Sequence, residues 1–118
     1  MVRTDRTYTE AEILSQLREL PGWVYRDGAI RRVFTTEGWQ WTMLVVNAIA
    51  FACEAAGHHP DLAVSWSKIE ISLWTHSARG ITEKDFEAAA LIERTILWHP
   101  DSESSLSGPA KPFAFAAR

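Results

Sequence analysis

The fold class of this chain is decided by residues 39–76, which read WQWTMLVVNAIAFACEAAGHHPDLAVSWSKIEISLWTH. The first half of the stretch, Trp39–Ala56, has the length of a helix, and its apolar side chains point in nearly every direction around the helix axis. A helix of this kind has to be covered on more than one side. We predict that one side lies on a sheet and that the other meets a second copy of the chain, in a homodimer or homotetramer.

The second half of the stretch predicts two strands. Gly57 marks the end of the helix, and Pro60 keeps the connection extended, because proline disfavours helical geometry in the residue before it. Residues 62–66 and 68–75 are rich in β-prone side chains and are predicted to pair as a hairpin. The second of these strands alternates, and its less apolar side carries Glu70, Ser72, Trp74 and His76.

The flanking segments carry three further local signals. Thr9, with Glu12 three residues later, forms the pattern of a capping box and predicts a first helix. An Asp-Gly pair at residues 27–28 lies between two β-prone runs, which is a strong hairpin signal. Thr82, followed three residues later by Asp85, predicts the start of a third helix, although this pattern also gives Asp85 a purely structural explanation.

These signals give the order helix, hairpin, helix, hairpin, helix. Short turns between neighbouring strands produce antiparallel pairing, and the apolar face of such a sheet needs helices over it. We therefore predict an α+β fold in which a four-stranded antiparallel sheet has helices packed on one face. Residues 1–99 are expected to form this domain, and residues 100–118, rich in Ser, Gly and Pro, an irregular C-terminal extension.

Composition narrows the class of protein. With 118 residues, the chain is long enough for one domain, and its net charge of −3 gives no electrostatic support to nucleic-acid binding. The N-terminal residues lack the apolar run of a signal peptide, and no segment approaches the roughly 20 apolar residues that span a bilayer. A single cysteine fits a reducing compartment, so we expect a cytoplasmic protein that binds neither nucleic acid nor membrane.

The histidines are the side chains best suited to chemistry. Imidazole moves protons near neutral pH, and His58 and His59 lie where the helix gives way to a strand. His76 lies near the end of the next strand. If the two strands pair as a hairpin, the start of the first lies beside the end of the second, and the three histidines meet in one candidate site.

Other readings of these residues stay open. A His-His pair in a loop is more often solvated, or bonded to the backbone, than catalytic. A zinc site formed by His76, one of the two adjacent histidines and a carboxylate such as Asp61 is conceivable, but the chain has no His-Glu-x-x-His motif and no paired cysteines. Nucleophilic catalysis by Cys53 is less favoured, because no histidine within a helical turn could activate the thiol.

The spacing of the site residues closely resembles that of the pterin-4a-carbinolamine dehydratase family. The family pattern is a charged residue, His-His-Pro after three positions, an aromatic residue five or six later, a further His, and an Asp beyond it. The positions that match are Glu54, His58, His59, Pro60, Trp66, His76 and Asp85.

The resemblance implies a reaction. It implies that the chain dehydrates 4a-hydroxytetrahydropterins to the quinonoid dihydropterin, which recycles the tetrahydrobiopterin used by aromatic amino-acid hydroxylases. Loss of the hydroxyl needs a proton donor to the leaving oxygen and removal of a proton from a ring nitrogen, which suits histidine. The pterin is itself the substrate, so the resemblance implies no metal and no organic cofactor.

The resemblance also implies roles for single residues. His58 and His76 match the principal acid–base candidates, and His59 matches a residue that contacts the substrate and assists. Pro60 matches a residue that shapes the pocket. Trp23 falls where the family has an aromatic residue near the pterin.

Two carboxylates complete the implied site, and one residue departs from the family pattern. Glu54 and Asp85 are expected to orient the histidines or the loops that carry them. Arg79 adds bulk and charge close to the expected pocket.

The resemblance also implies an alternative function, because some relatives in the family have roles other than catalysis. The chain would then be a non-catalytic binding or assembly factor on the same fold, either a dimerisation cofactor of a transcription factor or a Rubisco-assembly factor.

Overall fold

The structure, a computed structural model, describes residues 5–116. Its helices are α1 (Glu10–Gln16), α2 (Trp39–Ala56) and α3 (Glu83–Ile96), with single 3-10 turns at Leu17–Glu19 and His76–Ala78. Its strands are β1 (Val24–Arg26), β2 (Ala29–Thr35), β3 (Asp61–Ser65), β4 (Lys68–Leu73) and β5 (Phe115–Ala116). The sequence predicts no signal peptide at the start of the chain. Residues 1–4 of that segment lie outside the described residues.

The local signals in the sequence act as expected. Thr9 and Thr82 are the N-caps of α1 and α3, and each forms a complete capping box with the acidic residue three positions later. Gly57 ends α2 in the left-handed conformation with a φ of 71°. The turn between β1 and β2 has positive φ at both Asp27 and Gly28, which is the tight turn that matches the twist of paired strands.

The strands form one sheet in the order β1-β2-β4-β3, and each neighbouring pair is antiparallel. The predicted α+β fold is confirmed. The last described residues add the short strand β5, within the extension that the sequence predicts to be irregular. It pairs with Phe34 and Thr35 of β2, on the edge that β1 leaves open.

One hydrophobic core holds the helices to the sheet. Alternate residues of β2 and β4 point into it, and α2 and α3 meet them from the other side. The opposite face of the sheet is more polar. The fully buried core side chains include Ile30, Phe34, Ile49, Ile69, Ile71, Leu73 and Ile92.

The outer surface of α2 carries large apolar side chains that no other described residue covers. Leu44 is 46% exposed and Phe51 is 79% exposed. Within residues 5–116, no helix combines the length and the apolar character that crossing a membrane would require.

The last described residues return to the domain after an irregular stretch. The Phe113 ring stacks on Trp41 of α2, with 5.2 Å between the ring centroids. Ala114 is buried, and the Lys111 Nζ lies 3.3 Å from a carboxylate oxygen of Glu37. The end of the extension is therefore held against α2 and β2.

Candidate active site

The ends of α2 and β4 bring the three histidines to one cavity. His58 and His59 lie in the connection that leads from α2 to β3, and His76 begins the 3-10 turn after β4. Because Asp61 of β3 pairs with Ser72 of β4, the start of one strand lies beside the end of the other. The cavity has a volume of about 420 Å³, and its walls include Gly57, His58, His59, Pro60, Asp61, Trp74, Thr75, His76 and Lys84.

His58 is held by a buried carboxylate. Its Nε2 lies 2.7 Å from Oδ1 of Asp85, and its side chain is only 16% exposed while that of Asp85 is not exposed at all. The other oxygen of Asp85 accepts hydrogen bonds from the Thr75 hydroxyl at 2.7 Å and from the Thr82 N–H at 2.9 Å. Asp85 therefore both caps α3 and fixes one edge of the His58 ring.

His59 has a similar partner in a different environment. Its Nε2 lies 2.9 Å from a carboxylate oxygen of Glu54, five residues earlier and on the last turn of α2. The two side chains are 62% and 80% exposed. Water and salt compete for such a pair, so it restrains His59 weakly.

His76 is placed by stacking rather than by a carboxylate. Its ring lies over Trp74 with 3.9 Å between centroids and 27° between the ring planes. Trp74 also forms part of a second cavity of about 460 Å³ that shares Asp61 with the first one. Arg79, predicted to lie close to the pocket, lines this second cavity.

Trp23 is not brought to the histidine cavity. It is 4% exposed, and its indole N–H donates to a carboxylate oxygen of Glu93 on α3 at 2.7 Å. The same oxygen lies 2.8 Å from Nε of Arg32, whose side chain is also buried. Trp23 thus belongs to a buried polar cluster between β2 and α3.

Sequence reasoning missed two residues that shape the site. Trp74 lies on the same side of its strand as His76, so the alternation already carried the signal. Thr75 has the opposite parity and continues the inward series of Ile69, Ile71 and Leu73. A hydroxyl at a buried position needs a hydrogen-bond partner, and this is the signal that could have found it.

The structure gives no support to the two alternative interpretations, nucleophilic catalysis by Cys53 and a zinc site. Cys53 is buried in α2, and desolvation raises the pKa of its thiol, which keeps the thiol protonated at neutral pH. In the part of the chain that the structure describes, no three or more His, Cys, Asp and Glu side chains are grouped so that they could hold a metal ion.

Comparisons with known proteins agree with the geometry. Residues 6–95 match the model of the family described as pterin 4 alpha carbinolamine dehydratase. A protein of Aquifex aeolicus is 43% identical over 77% of this chain and 92% of its own length, and one of Roseiflexus castenholzii is 42% identical over 74% and 94%. Both bear the name "Putative pterin-4-alpha-carbinolamine dehydratase".

A solved structure gives the same result. The chain described as "transcriptional coactivator/pterin dehydratase from Brucella Melitensis" superposes with a TM-score of 0.72 at 29% identity. The match covers 76% of this chain and 98% of that chain. Together with the family match over residues 6–95, these relatives show that the chain belongs to the pterin 4 alpha carbinolamine dehydratase family.

Proposed function

We propose that this chain is a hydro-lyase that dehydrates 4a-hydroxytetrahydropterins to quinonoid dihydropterins, in the recycling of tetrahydrobiopterin. The observation that carries the proposal is the meeting of three imidazoles in one cavity, with His58 held 2.7 Å from a fully buried carboxylate. A protein that used this fold only as a scaffold would have no physical need for three histidines in one cavity. Membership of the family supplies the substrate class.

The reaction requires two proton transfers on a bicyclic ring. The C4a–O bond breaks, and the departing hydroxyl takes a proton and leaves as water. The proton on N5 is removed, and its bonding electrons form the C4a=N5 double bond. One imidazole can give the first proton while another accepts the second, so no redox agent and no additional cofactor enters the balance.

The residues divide this work according to their surroundings. His58 and His76 act as the acid–base pair, one oriented by Asp85 and the other by its stack on Trp74. His59 contacts the substrate at the exposed side of the cavity, and Pro60 shapes the wall beside it. Trp23 has no part in this proposal, because it is buried and bonded to Glu93.

Turnover of chemically generated 4a-hydroxytetrahydropterin tests the proposal. We expect the wild-type chain to exceed the spontaneous rate of dehydration, and His58→Ala with His76→Ala to lose most of that excess. His99→Ala is the matched control, because His99 is an exposed histidine whose ring bonds to the carbonyl of Pro100, away from the cavity. A wild-type rate equal to the spontaneous one contradicts the proposal.

A second candidate function is a binding factor that uses the fold to hold a partner. It is favoured by the name of the Brucella structure, which includes a transcriptional coactivator, and by the exposed apolar face of α2. If the chain is such a factor, substitutions at His58 and His76 should leave the binding of the partner intact, while Phe51→Glu should abolish that binding.

We also propose that the chain forms a homodimer or homotetramer through the exposed apolar side chains of α2. Phe51 is large, apolar and 79% exposed, and burying such side chains is the main favourable term in association. Light scattering tests this: we expect a multiple of 13.3 kDa for the wild type and a smaller species for Phe51→Glu. A wild-type monomer contradicts it.

We also propose that the chain works in the cytoplasm. Its single cysteine is free and buried, which fits a reducing compartment.

A further inference from the structure

Behind His58 lies a pair of buried hydroxyl groups. Thr75 is 2% exposed and Thr82 is 1% exposed, and their hydroxyl oxygens are 2.7 Å apart. Thr75 Oγ1 also lies 2.7 Å from Oδ2 of Asp85, whose other oxygen reaches His58. The four side chains form one continuous series of hydrogen bonds that starts in the interior and ends at the cavity.

The direction of each bond in this series follows from the chemistry of the groups. The Thr82 N–H, which can only donate, lies 2.9 Å from Oδ2 of Asp85, and a carboxylate can only accept at this contact and at its contacts with Thr75 and His58. The Thr75 hydroxyl must therefore donate to Asp85. Having used its proton, Thr75 can only accept at its second contact, so the Thr82 hydroxyl donates to Thr75.

The state of His58 follows from the same property of Asp85. Because Asp85 only accepts, Nε2 of His58 carries a proton and donates it to Oδ1. Nδ1 is then the ring nitrogen that no hydrogen bond occupies within the described part of the chain. It is the nitrogen that can take a proton from a ligand or, when protonated, give one.

We propose that Thr75 and Thr82 are positioning residues, which hold Asp85 so that His58 keeps its proton on Nε2 and exchanges protons with the substrate through Nδ1. The exchange with substrate rests on the proposed dehydratase function. The tautomer of His58 does not, and it is measurable in the absence of any substrate.

A second pair of threonines shows what a purely structural pair looks like. The hydroxyl oxygens of Thr36 and Thr42 are also 2.7 Å apart and buried, at the start of α2. Their remaining contacts are with backbone groups of Gly38 and Trp66, and none is with a titratable side chain. Thr42→Val is therefore a matched control for the loss of a buried hydroxyl outside the site.

Nitrogen-15 NMR of the histidine rings tests the tautomer directly, because the chemical shifts of a protonated and a bare ring nitrogen differ strongly. Near pH 8 we expect His58 to be protonated at Nε2 in the wild type and in Thr42→Val. In Thr75→Val we expect a mixture of the two tautomers, and in Thr75→Ser a return to Nε2. A wild-type His58 with its proton on Nδ1 overturns the proposal, whatever the folding of the variants.

Kinetics test the consequence for the reaction. We expect Thr75→Val to lower kcat by about tenfold, the effect of losing one charge-assisted hydrogen bond, with little change in KM. Thr75→Ser should recover most of the rate, and Thr42→Val should keep it even if its thermal transition falls as far as that of Thr75→Val. If Thr75→Val has the wild-type kcat, Thr75 does not position His58 and the proposal is wrong.

The two measurements separate this proposal from the one it rests on. If the wild type gives no turnover but His58 is held as the Nε2–H tautomer by Thr75, the dehydratase function fails and the positioning of His58 stands. If turnover is normal while the tautomer is mixed in the wild type, the function stands and the positioning role fails.

Discussion

His58 and His59 are neighbours in the chain, and each has Nε2 against a carboxylate oxygen, yet the two pairs are physically different. The His58–Asp85 pair is 2.7 Å long, and its side chains are 16% and 0% exposed. The His59–Glu54 pair is 2.9 Å long, and its side chains are 62% and 80% exposed. Burial removes competing water, so the first pair fixes its ring while the second restrains its ring only weakly.

The difference arises from where the partners lie. Glu54 belongs to the same helix end as His59, so the two can meet without any tertiary contact. Asp85 comes from the first turn of α3, 27 residues further along the chain, and reaches His58 only because α2 and α3 pack together. Long-range packing thus makes one histidine of the pair rigid and leaves the other adaptable.

The largest expected effect separates the two histidines by activity. His58→Ala should lower kcat by about 10²- to 10⁴-fold, the usual contribution of a positioned acid–base group. His59→Ala should act mainly on KM, with kcat reduced by no more than about tenfold. Steady-state kinetics on 4a-hydroxytetrahydropterin measure both. Equal losses of kcat would mean that burial does not distinguish the roles of the two residues.

The carboxylates should differ in the same direction. Asp85→Asn replaces an acceptor with a group that also donates, so we expect kcat to fall about 10- to 100-fold and the free energy of unfolding by about 1–3 kcal/mol. Glu54→Gln is the matched exposed change, and we expect its kcat and its urea midpoint to equal those of the wild type within error. A large loss in Glu54→Gln is the result that would contradict this comparison.

The contrast between buried and exposed groups also holds for two adjacent residues of α2, the buried Cys53 and the exposed Glu54. Burial raises the pKa of the Cys53 thiol, so we expect iodoacetamide to modify the folded protein far more slowly than the urea-unfolded chain, and with a higher pH midpoint. The folded thiol holds its proton to higher pH than the unfolded one. The free energy of unfolding should therefore fall as pH rises above about 8.5, and Cys53→Ala should lack this decline.

Salt should give the smallest effect. The Debye length falls from about 10 Å at 0.1 M to about 3 Å at 1 M, so added NaCl should screen the exposed His59–Glu54 pair and leave His58–Asp85 nearly unchanged. Double-mutant cycles on KM at the two salt concentrations measure the coupling within each pair. We expect the coupling between His59 and Glu54 to vanish in 1 M NaCl, and persistence of that coupling would show that the pair is shielded from solvent.

Much of this molecule could be predicted from local patterns. The caps at Thr9 and Thr82, the turn at Asp27 and Gly28, and the end of α2 at Gly57 each depend on a few adjacent residues. The meeting of the histidines followed as well, because hairpin pairing places the start of β3 beside the end of β4 whatever surrounds them.

Three features could not be predicted in this way. The pairing of β5 with β2 depends on the edge that the short strand β1 leaves open, and no pattern in the tail indicates that edge. The place of Trp23 in the core depends on Glu93, which lies 70 residues away in the chain. The stack of Trp74 on His76 depends on the 3-10 turn that follows β4.

The sequence by itself therefore determined the order of helices and strands, the hairpin geometry and the set of histidines that share a cavity, because all of these depend on contacts between near neighbours. Only the tertiary structure decided which histidine is fixed. The series of hydrogen bonds from Thr82 through Thr75 and Asp85 to His58 joins four side chains from three parts of the chain, and only its His58 end is partly exposed. Exclusion of water at that point is a property of the packed fold, and no local pattern reveals it.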